Sequence, residues 1–135
     1  MIRFKLWTLV VVSCLGLASS ADAGDLRIII KSISAEETKA NGDAWDIGGN
    51  APDLFVKVDN GRRTVSSRAR QDTYLANINF DTGLTAEIGD QIEITVYDED
   101  IASDDIVGRA TVLVDEEGAK IASFGQVKAL VVVFR

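Results

Sequence analysis

Apolar and polar residues alternate with a period of two along much of the chain, which is the pattern of β-strands that bury one face. The clearest run is QIEITVY at 91–97, where Ile92, Ile94 and Val96 fall on one face. Other apolar or β-branched runs predict further strands at 26–35, 54–59, 63–69, 74–80, 108–114 and 127–134. For residues 115–125 we expect one helical turn instead.

Short strands at this spacing, separated by loops rich in Gly and Asp, predict the fold class. About eight strands over roughly a hundred residues indicate an all-β, antiparallel Greek-key β-sandwich. The sequence DNG at 59–61 is a favourable hairpin turn between two of these strands. A chain of 135 residues is long enough for one hydrophobic core and too short for two, so we expect a single domain over residues 24–135.

The first 23 residues have the pattern of an export signal. MIRFK is basic, LWTLVVVSCLGLA at 6–18 is apolar but short for a membrane span, and ADA at 21–23 is a small-residue cleavage site. We therefore expect a signal peptide over 1–23 and a periplasmic or extracellular protein. Two alternatives stay open: an uncleaved anchor, and a lipoprotein modified at Cys14 within VVSC.

Composition excludes several kinds of function. The chain has a formal net charge of −7, which disfavours nucleic acid and anionic membranes unless a cation intervenes. It has no His, so it lacks the commonest general base and cannot form a Ser-His-Asp triad. No nucleophile or base is paired with the carboxylates in a catalytic pattern, so we expect a protein that is not an enzyme.

The acidic residues are concentrated in two loops. The loop at 37–53 carries Asp43, Asp46 and Asp53, and the stretch at 96–108, VYDEDIASDDIVG, carries Asp98, Glu99, Asp100, Asp104 and Asp105. Two such charges about 6 Å apart repel by about 3 kcal/mol at an effective dielectric constant near 20. Strand alternation sends Asp98 and Asp100 to the same side, so both can hold one cation.

Calcium is the cation that this cluster favours. It takes six to eight oxygen ligands and tolerates irregular loops, whereas thiol- and imidazole-binding metals have no suitable ligands in these loops. The spacing is not that of an EF-hand loop. The alternative is that the acidic turns are simply solvated.

Two segments carry a resemblance to a known family. WDIGGNAPDLFVKV at 45–58, followed by IEITVYDEDIASDDIVGRATV at 92–112, resembles the C2 domain, the calcium- and phospholipid-binding module of synaptotagmins and protein kinase C. The resemblance extends over about residues 25 to 134. It implies a permuted topology, in which the C-terminal run 127–134 forms an edge strand, and it suits a bacterial exported form of the domain.

The resemblance also implies a set of metal ligands. Asp46 and Asp53 match the first-loop ligands of the family, and the third-loop ligands are matched by Asp98, Asp100 and Asp105. The spacer before Asp105 is one residue shorter than in the family, so Asp104 is an alternative ligand.

The function implied by the resemblance is calcium-dependent binding of phospholipid headgroups or another anionic surface, an envelope protein included. Ile47, Ile101 and Trp45 would contact lipid from the loops, with packing against their own loop as the alternative for each, and Arg68 and Arg70, within GRRTVSSRAR, would contact headgroups. For the arginines the alternative is an edge strand protected by charge. For the whole protein the alternative is a calcium-stabilised structural or protein-interaction domain that binds no lipid.

Overall fold

The computed structural model describes residues 25–46 and 48–135, which fold into nine β-strands arranged in two antiparallel sheets. The predicted signal peptide over 1–23, with Cys14, lies outside the described residues, as does residue 24 at the start of the predicted domain. Within the described ranges no helix has the length and apolar character to cross a membrane.

The strands are numbered here in chain order. They are β1 (Leu26–Ala35), β2 (Leu54–Asp59), β3 (Thr64–Ser66), β4 (Leu75–Ala76), β5 (Phe80–Ala86), β6 (Gln91–Asp98), β7 (Asp105–Leu113), β8 (Gly118–Phe124) and β9 (Val127–Phe134). One sheet has the order β4-β1-β9-β8, with β5 also paired to β1, and the other has the order β3-β2-β6-β7. The expected all-β antiparallel sandwich is confirmed.

The core lies between the two sheets and is built from the alternating apolar positions. Ile28, Ile30 and Ile33 of β1 are inaccessible to solvent, as are Ile92 and Ile94 of β6. Leu130 and Val132 of β9 complete the same cluster. Each such side chain contributes about 1.5–3 kcal/mol on burial, so the period-two pattern is also the main source of stability.

Several predicted strands are confirmed, three of them with the predicted bounds: 26–35, 54–59 and 127–134. The strand predicted at 91–97 continues to Asp98, and the strand predicted at 108–114 begins earlier, at Asp105. Both extensions bring acidic residues into the sheet. The predicted strand at 63–69 is reduced to Thr64–Ser66.

Other expectations are wrong. The segment expected to hold a helical turn contains β8, because its side chains alternate in exposure and its backbone pairs with β9. The single strand expected at 74–80 is interrupted, since Asn79 adopts a positive φ of 44° and a new strand begins at Phe80. The C-terminal strand β9 is not an edge strand, because it lies between β1 and β8.

Strand pairing brings the two acidic loops to one end of the sandwich. The start of β2 pairs with the end of β6, which places Leu54 opposite Asp98. Along β7 a bulge at Val107 shifts the pairing with β6, so Asp105 lies opposite Asp98. The first residues of β2 and β7 therefore meet the last residue of β6.

The bulged segment is followed by Gly108, which allows a close approach to the β8–β9 hairpin. A Cβ atom at this position would lie 2.6 Å from the carbonyl oxygen of Phe124 and 2.9 Å from its ring. Real Cβ atoms do not come this close to backbone, so any other residue would push β7 away from the hairpin. The glycine at the end of VYDEDIASDDIVG is thus explained by packing.

Candidate metal site

Three carboxylates converge where the loops meet. Asp46, Asp98 and Asp100 each offer an oxygen, and these oxygens all lie within 4.8 Å of one another. Asp46 comes from the loop between β1 and β2, Asp98 from the end of β6, and Asp100 from the loop that follows β6. The period-two prediction that Asp98 and Asp100 lie on one side is consistent with this arrangement.

Asp98 is the buried member of the cluster. Asp98 is fully inaccessible to solvent, and its Oδ1 accepts a hydrogen bond from the Asp53 backbone N–H at 2.8 Å. Its Oδ2 is buried and has no hydrogen-bond partner among the described residues. The pKa of the Asp98 carboxyl is raised to about 6, chiefly by burial and also by the nearby charges of Asp46 and Asp100, against the lowering effect of the hydrogen bond from the Asp53 backbone.

The other two carboxyls are also shifted towards the neutral form. Burial raises the pKa of Asp46, and the charge of Asp53 adds to that effect. Burial likewise raises the pKa of Asp100, followed by repulsion from Asp105. All three pKa values move in the direction expected for carboxylates held together without a sufficient positive charge.

Asp53 organises the base of the first loop. Its Oδ1 accepts a hydrogen bond from the backbone N–H of Asp72 at 2.7 Å, and the Oδ1 of Asp72 accepts one from the Ala51 N–H at 3.0 Å. The two aspartates therefore tie together the loops before β2 and before β4. One oxygen of Asp53 is used in this contact, and its charge still reaches Asp46 and Asp98.

Asp104 and Asp105 are engaged by other groups. The Oδ1 of Asp104 accepts a hydrogen bond from the Asp100 backbone N–H at 3.0 Å, which closes the loop after β6. The Oδ2 of Asp105 lies 2.9 Å from the Nζ of Lys39 in an ion pair. The structure thus brings all the predicted acidic residues to one end of the molecule but groups only Asp46, Asp98 and Asp100 tightly.

The predicted lipid contacts in the loops differ in position. Ile101 is completely exposed, as a residue at a loop tip would be, whereas Ile47 lies outside the described residues. The prediction for Trp45 is corrected, because its ring is 3% exposed and packs in the core, and its Nε1–H donates to the Glu36 carbonyl at 2.9 Å. This aromatic residue, which precedes the candidate ligand Asp46, was expected to contact lipid and instead anchors the loop.

Arg68 and Arg70 lie on the segment between β3 and β4, where the backbone of Arg70 is bonded to that of Leu54. Both are exposed and line one shallow pocket of about 220 Å³ together with Asp81. Arg70 also donates from Nη2 to the Ile78 carbonyl at 3.3 Å. Their predicted placement near each other is consistent with the structure, and their role in headgroup binding stays a prediction.

The carboxylate cluster fits a calcium ion. Oxygens bound to one Ca²⁺ at 2.3–2.6 Å lie at most about 5 Å apart, and the three carboxylates already meet that limit. The unpartnered Oδ2 of Asp98 supplies a second observation, because a buried anionic oxygen without a partner costs several kcal/mol unless a cation compensates it. The donors are all oxygens, which calcium and magnesium prefer.

Two residues near the site were not predicted from the sequence. Lys39 contributes an ammonium group beside Asp105, and Asp72 adds a carboxylate on a loop that comes from a different part of the chain. Asp72 adopts a positive φ of 52°, a conformation that Asp tolerates better than most residues. Neither has a spacing signal in the sequence, because both reach the site only through the fold.

A two-sheet antiparallel sandwich with converging acidic loops at one end defines the class of protein. The family model for the C2 domain matches residues 26–127. The chain therefore belongs to the C2 domain family, as the resemblance predicted. Among curated protein sequences no match is found.

Solved structures share this fold. A structure described as a C2 domain superposes with a TM-score of 0.63 at 16% identity, over 82% of this chain and 96% of that one. A structure of extended synaptotagmin 2 with its SMP domain and its C2 domains A and B gives 0.64 at 16% identity, over 90% of this chain and 30% of that one. The calcium-bound pair of C2 domains from extended synaptotagmin 2 gives 0.59 at 17% identity, over 83% and 45%.

Proposed function

We propose that this C2 domain is a non-enzymatic binding module that holds calcium in its acidic loops and, through it, binds phospholipid headgroups. The observation that carries the proposal is the buried carboxylate oxygen of Asp98, which has no partner among the described residues and lies in a cluster with Asp46 and Asp100. The calcium-bound form of a structural neighbour supports the choice of ion.

The physical basis is a reversal of charge. Without a cation, the loop end carries several carboxylates and repels lipid phosphate, in keeping with the net charge of −7. A bound divalent ion neutralises part of that charge, and a coordination position not used by protein leaves room for a phosphate oxygen. Asp46, Asp98 and Asp100 would hold the ion, and calcium would supply the positive charge that bridges to phosphate.

A cleft beside the cluster has the dimensions for a headgroup. It has a volume of about 400 Å³, and its walls include Asp46, Asp100 and the exposed Ile101. Burial of one isoleucine in a membrane contributes about 2 kcal/mol, which is too little for stable attachment by itself. Attachment would therefore depend on the ion.

Vesicle co-sedimentation tests the proposal. The full chain is incubated with vesicles of phosphatidylserine and phosphatidylcholine, in calcium and then in a chelator. We expect pelleting in calcium only, and no calcium-dependent pelleting of the double variant Asp98→Asn, Asp100→Asn.

The matched control is Asp115→Asn, which removes one carboxylate at the opposite end of the sandwich and should bind as the unmodified chain does. Vesicles of phosphatidylcholine alone, which lack the anionic headgroup, should pellet less protein. Equal pelleting of the unmodified chain in calcium and in chelator would refute calcium-dependent lipid binding.

A second candidate function has its own support in the structure. Trp45 is buried, so one of the apolar groups predicted to enter a membrane instead stabilises the loop. A calcium-stabilised structural or protein-interaction domain needs no membrane insertion. It predicts that calcium raises the unfolding temperature while vesicles of any composition fail to pellet the protein.

The location of the protein is also part of the proposal. The basic, apolar and small-residue segments of 1–23 support export to the periplasm or the extracellular space, with lipidation at Cys14 as the alternative. Mass spectrometry of the protein purified from its native host distinguishes these outcomes. Cleavage before Gly24 supports a cleaved signal peptide, a lipid on Cys14 supports the lipoprotein, and an intact N-terminus contradicts both and leaves the uncleaved anchor.

A further inference from the structure

Lys39 lies in the loop between β1 and β2, and its side chain extends towards the carboxylates at the start of β7 and in the loop before it. Its Nζ lies 2.9 Å from Oδ2 of Asp105, and its side chain is about one third exposed. It lies in the loop between β1 and β2, whereas Asp105 begins β7, so the ion pair joins the two loops that form the candidate metal site.

The ammonium group is close to more than one carboxylate. The hydrogen bond to Asp105 is the main cause that raises the pKa of Lys39, and the charges of Asp105, Asp100 and Asp98 add to it. In return, the charge of Lys39 opposes the rise in the pKa of Asp46 and of Asp100. Lys39 thus acts electrostatically on the whole cluster.

The loop itself fixes the position of Lys39. The Lys39 N–H donates to the Asp43 carbonyl at 2.8 Å, and the Gly42 N–H donates to the Lys39 carbonyl at 2.9 Å. The neighbouring Thr38 carbonyl accepts a hydrogen bond from Nε2 of Gln126 at 2.9 Å. The backbone that carries the lysine is therefore held on both sides.

Five of the six acidic residues predicted as ligands form two groups by their contacts, and the carboxylate of the sixth, Asp53, accepts from the Asp72 N–H. Asp46, Asp98 and Asp100 meet within 4.8 Å and include the unpartnered oxygen of Asp98. On the other side, Asp105 is paired with Lys39 and the nearby Asp104 caps the Asp100 backbone. A divalent ion fits the first group, whereas the lysine already places a positive charge beside Asp105.

We propose that Lys39 is a tethered cation that takes the place of a second divalent ion, so that the loops bind one calcium ion rather than two. This inference rests on the proposed calcium binding and specifies the regulation of that site. A fixed monovalent charge beside Asp105 repels a second divalent ion and occupies one of the oxygens that this ion would need.

Counting bound ions tests the inference. Native mass spectrometry and calorimetric titration with calcium chloride alone give the number of ions per full chain. We expect one ion for the unmodified chain and two for Lys39→Gln, which removes the charge but keeps a polar side chain of similar length. In the double variant Lys39→Gln, Asp105→Asn the number should return to one, because the second ion would lose its carboxylate.

Two control variants separate charge from other effects. Lys39→Arg keeps the positive charge and should bind one ion. Lys120→Gln breaks a comparable ion pair, in which Nζ lies 3.2 Å from Asp115 and the lysine side chain is equally exposed. That pair lies at the opposite end of the sandwich, so Lys120→Gln should also bind one ion.

The ion counts separate this inference from the proposed function. Two ions on the unmodified chain, or one on Lys39→Gln, would overturn the role of Lys39 and leave calcium binding intact. No ion on either chain would overturn both proposals. One ion on the unmodified chain and two on Lys39→Gln, together with a failure to pellet with vesicles, would support the role of Lys39 and refute only lipid binding.

Discussion

Away from the acidic loops Asp81 and Asp115 lie beside cations, whereas at the loop end of the sandwich three aspartates lie beside one another. Asp81 accepts hydrogen bonds from the Gly83 N–H and from Arg27, and both interactions lower its pKa. A hydrogen bond from Lys120 likewise lowers the pKa of Asp115. At the loop end the pKa of Asp98 is raised to about 6 instead.

This contrast shows in which region the negative charge of the carboxylates is balanced by the chain itself, without a bound ligand. The chain supplies its own counter-charges for Asp81 and Asp115, so they behave as ordinary surface carboxylates. For Asp46, Asp98 and Asp100 it supplies backbone donors and the nearby charge of Lys39, which do not offset the repulsion and burial. A divalent cation would make the second region resemble the first.

The largest expected effect concerns pH. In chelator, the raised pKa of Asp98 means that the folded state binds a proton more tightly than the unfolded state. Its contribution to stability is fully present below about pH 3.8 and is lost as the pH rises through about 6. Urea unfolding should therefore show that Asp98→Asn is more stable than the unmodified chain at pH 7 by up to about 3 kcal/mol, a difference that disappears near pH 4.

Asp81→Asn is the control for that experiment, because the pKa of this exposed carboxyl is lowered rather than raised, so its removal should give no gain in stability at pH 7. The lowered pKa of Asp81 stabilises the fold above its unfolded pKa, and this contribution is lost as the pH falls through the folded pKa. If the free energy of unfolding depends on pH in the same way for Asp98→Asn and for the unmodified chain, the pKa of Asp98 is not the one that is raised.

The next effect is stabilisation by calcium. An ion present at 100 times its Kd stabilises the folded state by about 2.7 kcal/mol. We expect thermal unfolding to shift upward by several degrees in the unmodified chain and in Asp115→Asn, but not in the double variant Asp98→Asn, Asp100→Asn. An equal shift in the double variant would place the ion elsewhere.

A smaller effect is expected from the exposed apolar residue of the loop end. Ile101→Ser should weaken calcium-dependent vesicle binding by roughly 30-fold, since about 2 kcal/mol of apolar burial is lost. Ile88→Ser changes a half-exposed isoleucine in the turn at the opposite end and should leave vesicle binding unchanged. Equal weakening by both variants would mean that membrane contact does not occur through the loop end.

The smallest effect is expected where the carboxylates are already paired. Lys120→Gln and Asp81→Asn each break an exposed ion pair, and such pairs contribute little because water and salt screen them. We expect thermal midpoints that differ from the unmodified chain by no more than the error of the measurement, with any difference abolished at high salt. A loss as large as the calcium effect would contradict the assignment of these pairs to the surface.

Much of this molecule follows from local patterns in the sequence. Alternating, apolar or β-branched runs correctly predict β1, β2, β6 and β9, and strand alternation also predicts that Asp98 and Asp100 lie on one side. These features depend on residues close together in the chain, where a period of two is a direct readout of geometry. The clustering with Asp46 was expected from the resemblance to the C2 domain.

Features that depend on distant residues were missed or misplaced. The ion pair between Lys39 and Asp105 spans two loops and has no signature in either. Trp45 was expected to contact lipid because tryptophans often lie at membrane interfaces, yet the fold places it in the core. The strand β5 was overlooked because Gly83 and polar residues interrupt its apolar pattern.

The location of β9 determines when this domain can fold. This strand lies between β1 and β8, and its pairing with β1 joins Phe134 to Ile28 across nearly the whole described chain. During synthesis β1 can pair with β4 and β5 first, but its pairing with β9 waits until residue 134 has left the ribosome, and loop closure over that span is slow. Completion of the sandwich is consequently a late event in folding, because the pairing of β1 with β9 spans nearly the whole described chain.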